Sequence, residues 1–288
     1  MLRSVTIRTF LKKKEQNDKI TMMTAYDYPS AQLLDESGID AILVGDSLGM
    51  VVQGNTTTVP VTLEHMIYHA QMVSRATQRA LVVVDMPFMT YQESPQQAVH
   101  NAAELMRQGG AQAVKLEGGT EIAPTVARLT EAGIPVMGHI GLTPQSVHAL
   151  GGYTVQGRTA KAAQRLLEDA FALQAAGAFA IVLEVIPAEV AQVVTRKLQI
   201  PTIGIGAGPD CDGQVLVFHD AMGYTSSYVP KHNRVYTQLA DSIRTATQSY
   251  IADVHTGNFP GQEHTLHLAP EELELLRRLE EPTTSTPT

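Results

Sequence analysis

Five apolar stretches of this chain each end in a carboxylate, a lysine or a histidine. They are Ile39–Ser47, Leu81–Phe88, Ala111–Gly118, Ile134–Ile140 and Ala178–Pro187, and their polar ends are Asp46, Asp85, Lys115 with Glu117, His139 and Glu184. A carboxylate at the end of a buried strand must be hydrogen-bonded, ion-paired or bound to a metal, because its desolvation is costly. Two or three of them meeting at one mouth repel one another unless a cation lies between. Oxygen donors without cysteine select a hard cation, Mg²⁺ first, with Mn²⁺ or Co²⁺ as alternatives. Mg²⁺ takes one or two protein carboxylates together with waters and substrate oxygens. Of Asp46, Asp85 and Glu117, at least one is therefore expected to act through water. The plain alternative for any one of them is a helix cap or an arginine partner.

Lys115 and Glu117 stand two apart on one strand, so both face one way while Val114 and Leu116 face the other. This is either a structural ion pair or a cation placed to offset charge on a substrate oxygen. A Schiff-base lysine is a third option, and the surrounding carboxylates, which favour a protonated amine, count against it. Glu184 follows Ile181–Leu183 and precedes Val185–Pro187. An apolar setting of that kind raises a carboxyl pKa and suits a general base; the alternative is an ion-paired structural glutamate. His139, after Val136–Gly138, can bind substrate or metal, or simply be a satisfied hydrogen-bonding group. Ile203–Gly208 (IGIGAG) has the look of a barrel phosphate loop but equally of a tight glycine turn, and it lacks the dinucleotide fingerprint.

Near-continuous apolar strands are those of a parallel sheet buried on both faces. Chemical residues at the C-terminal strand ends are the way a (β/α)₈ barrel builds its site. Gly38, Gly110, Gly133 and Gly177 each follow a helical segment and lie about seven residues before Asp46, Glu117, His139 and Glu184, the length of one turn plus one short strand. Adding Lys19–Asp27, Ile200–Gly208 and Gln214–Asp220 gives roughly eight strands alternating with helices, the α/β TIM-barrel class. Two long loops on the functional side, Leu48–Pro60 and Gly141–Arg158, each carry a Val-Gln-Gly triplet and are expected to be lids or binding loops. The catalytic barrel is expected over residues 1–267. Residues 268–288 then form an extension: a helix over Pro270–Glu281 with a leucine stripe, and a disordered tail, Pro282–Thr288.

A length of 288 residues suits one barrel of roughly 250 residues with a short extra. The formal net charge of −8 argues against nucleic acid and against an anionic membrane surface. Cys211 is the only cysteine, which excludes an intrachain disulfide and a cysteine-based zinc site. No apolar run reaches the roughly 18 residues of a membrane span. The basic start, MLRSVTIRTFLKKK, is compatible with a transit peptide but reads better as a short amphipathic helix on a cytoplasmic protein.

Several motifs in order resemble those of the ketopantoate hydroxymethyltransferase family. They are Thr24–Tyr28 (TAYDY), Val44–Gly49 (VGDSLG), Pro60–Thr62 (PVT), Met86–Tyr91 (MPFMTY), Val114–Gly119 (VKLEGG), Gly138–Val147 (GHIGLTPQSV), Gly151–Arg158 (GGYTVQGR), Ile203–Gly208, Asp212–Val215 (DGQV) and His219–Asp220. The resemblance runs from about Thr6 to His267. It implies one Mg²⁺ per subunit on Asp46, Asp85 and Glu117, a 2-oxo acid on Asp46, Ser47, Asp85 and Lys115, and Glu184 as proton acceptor. His139 is added to the substrate contacts from its place at a strand end. The resemblance also implies 5,10-methylenetetrahydrofolate as one-carbon co-substrate, a place at the first committed step of pantothenate synthesis, and a homo-oligomer, typically a decamer. Val185 stands where a cysteine often follows the glutamate. The rival is a folate-independent Mg²⁺ lyase of the phosphoenolpyruvate-mutase and isocitrate-lyase kind, whose Lys-Lys-Cys-Gly-His segment is absent here. A non-catalytic binding barrel is the other alternative.

Overall fold

The computed structural model describes residues 4–225 and 230–280. Eight parallel strands close into a barrel in chain order. They are β1 (Ile20–Thr24), β2 (Ala41–Val44), β3 (Leu81–Asp85), β4 (Ala113–Glu117), β5 (Val136–Gly141), β6 (Ala180–Glu184), β7 (Thr202–Ile205) and β8 (Gly213–Leu216). Helix α1 (Ile7–Glu15) precedes β1, and α2 (Tyr28–Glu36) follows it. Then come α3 (Leu48–Val51), α4 (Leu63–Ala76), α5 (Pro95–Arg107), α6 (Ala123–Glu131), α7 (Val147–Leu150), α8 (Ala160–Ala175), α9 (Ala188–Lys197) and α10 (Phe218–Ala221).

Local chemistry explains the helix boundaries. The side chains of Asp27, Thr62, Ser94 and Thr159 accept a backbone N–H from the first turns of α2, α4, α5 and α8. The four glycines read as helix terminators all have positive φ, from +75° at Gly110 to +94° at Gly177.

Alternation along each strand separates two cores. Inward residues such as Ile20, Leu43, Val83, Met137, Val182 and Ile203 fill the barrel. Outward residues such as Ile42, Val84, Val114, Leu116, Ile181 and Leu183 pack against helices. Phe10 of α1 plugs the N-terminal end and meets Phe179 edge-on, with ring centroids 5.6 Å apart.

Two departures from the sequence reading concern the closing strands. Among the described residues no helix joins β7 to β8, and the outward residues Thr21 and Gln214 are exposed, whereas their counterparts on β2 to β7 are buried. The strand expected over Gln214–Asp220 ends at Leu216, because Phe218 N–H donates to Thr24 Oγ1 (2.9 Å) and turns the chain into α10. His219 and Asp220 therefore sit on a short helix.

The chain divides into compact units at 237/238 rather than at 267/268. The first, Met1–Thr237, holds the barrel. The second, Gln238–Thr288, holds α11 (Leu239–Thr256), a single 3₁₀ turn at Gln262–His264 and α12 (Pro270–Glu280). Helix α11 was not anticipated; Gly257 closes it at φ +74°. Helix α12 coincides with the expected one to within a residue, and the expected tail Pro282–Thr288 lies outside the described residues.

Candidate active site

Strand register brings the polar strand ends together. Asp85 pairs with Lys115 across β3 and β4, Glu117 with His139 across β4 and β5, and Gly141 with Glu184 across β5 and β6. In-register partners on neighbouring parallel strands share a face, so these side chains meet at the mouth. Lys115 Nζ stands 3.0 Å from Asp85 Oδ1 and 3.1 Å from His139 Nδ1. His139 Nδ1 lies 3.3 Å from Glu117 Oε1, and its Nε2 lies 3.1 Å from Glu184 Oε2. Asp46 follows β2 in a turn; its N–H donates to Asp85 Oδ2 (3.0 Å). Gly45 makes that turn possible, since a Cβ there would lie 2.8 Å from Ser47 Oγ. Ser47 Oγ in turn shares a hydrogen bond with Tyr26 OH (2.9 Å). All seven residues singled out from the sequence (Asp46, Ser47, Asp85, Lys115, Glu117, His139 and Glu184) line one cavity of about 700 Å³. Both long loops reach it, through Met50 and Asn55 on one side and Leu142, Pro144 and Tyr153 on the other. Tyr153 OH donates to Met50 Sδ (3.5 Å) and ties the two together.

The site is dense with charge. Burial, then Asp85 and Glu117, pushes the Asp46 carboxyl well above the usual range. Burial also raises Asp85, against the pull of Lys115. For Lys115, burial opposes the charge, but Asp85, Glu117 and Asp46 outweigh it and hold the ammonium more firmly than in water. This sets Lys115 against the Schiff-base role, which needs a free amine. Glu117 is held low despite burial, through His139, Lys115 and the Gln145 N–H. Burial and Lys115 disfavour the imidazolium of His139, yet Glu117 and Glu184 lift its pKa to about 9. The ring stands between the two glutamates, with Lys115 Nζ close to the same nitrogen as Glu117, and its Nε2 makes no hydrogen bond of proper angle. Five carboxylates, Asp46, Asp85, Glu117, Glu184 and Asp220, line the cavity against two lysines, Lys115 and Lys231.

That excess suits a hard divalent ion, and Asp85 Oδ1 makes no hydrogen bond of proper angle. Among the described residues, no three His, Cys, Asp or Glu side chains converge closely enough to hold an ion directly. Both Glu117 oxygens already face donors, His139 and the Gln145 N–H. The donor set therefore fits an ion held by Asp46 and Asp85, with Glu117 one water away.

Glu184 departs from its expected apolar isolation. Its side chain is 17% exposed and His139 lies against it. The residue after it, Val185, has φ +47°, a region that β-branched side chains rarely enter. The surrounding backbone over-determines this turn. Val185 N–H donates to Ile205 O (2.9 Å), Val185 O accepts from Gln156 N–H (3.0 Å), and Glu184 O accepts from Leu142 N–H (2.8 Å). Gly141 leaves room for it, since a Cβ there would fall 2.3 Å from Glu184 O.

Sequence reasoning missed Gln145 and Tyr91. Gln145, on the turn Pro144–Ser146 after β5, is buried, and its Nε2 donates to Asp46 Oδ2 (2.8 Å) and Met86 O (2.9 Å). Tyr91 OH reaches Gln145 Oε1 (2.8 Å) and the Glu117 backbone. Both lie inside the Met86–Tyr91 and Gly138–Val147 motifs and carry no other signal in the sequence. The Ile203–Gly208 segment is a packed turn: the His232 ring lies about 3.0 Å from where a Gly206 Cβ would be.

The profile of the ketopantoate hydroxymethyltransferase family matches residues 4–262. The chain is 57% identical over 269 residues to the 3-methyl-2-oxobutanoate hydroxymethyltransferase of Chloroflexus aurantiacus, covering 93% of this chain and 95% of that one. It is 55% identical over 270 residues to the enzyme of the same name from Carboxydothermus hydrogenoformans, covering 94% and 98%. Among solved structures, the barrel resembles phosphonopyruvate hydrolase in complex with oxalate and Mg²⁺ (TM-score 0.59, 12% identity, 96% of each chain). It also resembles 2,3-dimethylmalate lyase, a member of the PEP mutase/isocitrate lyase superfamily (TM-score 0.57, 18% identity, 96% and 93%). At such identities these structures speak for the fold alone, whereas the sequence matches run through every strand-end motif of the site. The chain belongs to the ketopantoate hydroxymethyltransferase family.

Proposed function

We propose that the protein transfers a hydroxymethyl group from 5,10-methylenetetrahydrofolate to 3-methyl-2-oxobutanoate, giving 2-dehydropantoate. The observation that carries this is Glu184, held beside a mouth where Asp46, Asp85, Lys115 and Glu117 converge, in a chain of this family. Asp46, Asp85 and, through water, Glu117 would hold Mg²⁺, which when bound supplies Lewis-acid polarisation of the oxo acid's carboxylate and keto oxygens. A barrel of the same fold, phosphonopyruvate hydrolase, was solved in complex with oxalate and Mg²⁺, so the fold accommodates a small carboxylate together with this ion. Ser47 and Lys115 orient the acid, and the Lys115 ammonium offsets negative charge on its oxygens as the enolate forms. Glu184 takes the C3 proton. Water takes the methylene carbon from the two folate nitrogens, releasing tetrahydrofolate and a formaldehyde equivalent; the enolate carbon bonds to that carbon while its C=O π pair passes to the oxygen, which takes up a proton and becomes the hydroxyl of the hydroxymethyl group. His139, lying between Glu117 and Glu184, keeps the base aimed and lines the cavity.

Exchange of the C3 proton of 3-methyl-2-oxobutanoate in D₂O tests this directly. Mg²⁺ and the protein suffice for exchange, and methylenetetrahydrofolate is needed for product. Product without folate would favour the lyase reading; no exchange at all would favour a binding protein. The net charge of −8 supports small-molecule partners rather than nucleic acid. Among the described residues no helix is long and apolar enough to cross a membrane. A cytoplasmic homo-oligomer, a decamer by family resemblance, completes the proposal, and sedimentation velocity of the full chain tests the assembly.

A further inference from the structure

Gln145 makes more contacts with the candidate metal carboxylates than any role as loop filler requires. Its carboxamide is fully engaged. Nε2 spends its two protons on Asp46 Oδ2 (2.8 Å) and Met86 O (2.9 Å). Oε1 accepts from Tyr91 OH (2.8 Å) and Gln92 Nε2 (3.2 Å). Tyr91 OH also accepts from Glu117 N–H (3.1 Å), which leaves the phenol proton to point away from that amide and towards its acceptors. The oxygen end of Gln145 is thereby fixed towards Tyr91 and its amino end towards Asp46. The Gln145 backbone N–H meanwhile donates to Glu117 Oε2 (3.0 Å). One residue on the loop after β5 thus holds carboxylates from the ends of β2 and β4.

We propose that Gln145 is a positioning and ion-selecting residue: by occupying Asp46 Oδ2 it leaves Asp46 a single oxygen for the cation. The inference rests on the divalent-metal reading of the site. Ca²⁺ gathers six to eight oxygens and often takes a carboxylate by both of its oxygens. Mg²⁺ requires a near-octahedral shell and is served by single carboxylate oxygens and waters. An Asp46 that can offer two oxygens only by breaking its bond to Gln145 penalises Ca²⁺ and leaves Mg²⁺ untouched.

The test is calorimetric titration of the full-length protein with MgCl₂ and with CaCl₂, each alone and without substrate. Gln145→Met keeps length, bulk and the backbone N–H to Glu117 while deleting the carboxamide. Gln145→Ala is the second variant, and circular dichroism establishes that each is folded. A hydrogen bond to a charged group corresponds to about tenfold or more in an equilibrium constant. The Kd for Ca²⁺ divided by that for Mg²⁺ should therefore fall about tenfold in both variants. Tyr91→Phe, which frees the amide orientation, should shift the ratio the same way by a smaller factor. A merely structural Gln145 would weaken both ions alike, so an unchanged ratio in the folded variants overturns the proposal. If the native protein bound neither ion, the metal reading itself would fall and the proposal with it.

Discussion

The two ends of the barrel handle charge in opposite ways. At the N-terminal end, Lys13 reaches Asp40 at 2.9 Å and the exposed Asp18 at 3.1 Å, and Lys14 reaches Asp212 at 2.7 Å, so each carboxylate around the Phe10 plug has a lysine against it. At the C-terminal mouth, Asp46, Asp85, Glu117, Glu184 and Asp220 outnumber Lys115 and Lys231. Balanced pairs are what stability asks for; a buried excess of one sign is tolerated where some of its groups take up protons or a ligand of the other sign completes it. The same strands thus serve folding at one end and chemistry at the other.

If that division holds, damage to the mouth should appear in activity and damage to the plug in stability. The largest effect is expected from the charge excess itself. Exhaustive chelation, or Asp85→Ala, should cut turnover by roughly 10³-fold or more, because charge stabilisation by a bound metal is worth several kcal/mol. Mg²⁺ should restore the chelated protein but not the variant, and full activity after chelation would remove the metal from the mechanism. Glu184→Gln keeps size but not basicity, and should lower both C3 exchange and turnover by about 10²–10⁴-fold. Mg²⁺ and oxo-acid binding should hardly change in it, as calorimetry can report. Exchange at the native rate would move the base to another residue, His139 first. Lys115→Arg should lose a smaller factor, roughly 10–10²-fold, since a planar fork replaces a compact ammonium. Borohydride with the oxo acid should trap no adduct on Lys115 in the native protein. At the other end, Phe10→Ala should leave turnover per folded molecule unchanged. It should destabilise the fold by about 3–5 kcal/mol in a urea titration. A Phe10 variant as stable as the native chain but catalytically impaired would erase the distinction between the two ends.

Asp85, Lys115, Glu117, His139 and Glu184 are legible in the sequence because each breaks an apolar strand at its end, with period two placing it inward. The barrel is legible for the same reason, since an apolar run recurs at a spacing that only strand and helix in alternation explain. Gln145 and Tyr91 carry no such pattern. A neutral amide in a loop acquires its partners only when strands β2, β3 and β4 come round to it. Nor could the sequence tell that Glu184 would lie against His139, a contact made across β5 and β6 at 3.1 Å. The short helix at Phe218–Ala221 escaped because one tertiary hydrogen bond, from Phe218 N–H to Thr24 Oγ1, overrides an extended propensity. The division at 237/238 depends on packing that no composition shift marks.

Val185 holds a backbone conformation that favours glycine. A β-branched residue kept at φ +47° stores roughly 1–3 kcal/mol of backbone strain, and glycine would release it. Where the strain exceeds the roughly 1 kcal/mol that glycine's extra chain freedom costs, selection for heat resistance alone would drift towards glycine at this position. The same drift would slacken the turn whose carbonyls are tethered to Leu142 and Gln156, and with it the aim of the neighbouring carboxylate. Under the proposed role of Glu184 as base, thermal robustness and proton abstraction pull Val185 in opposite directions, so a sequence evolved for both is expected to leave the strain in place.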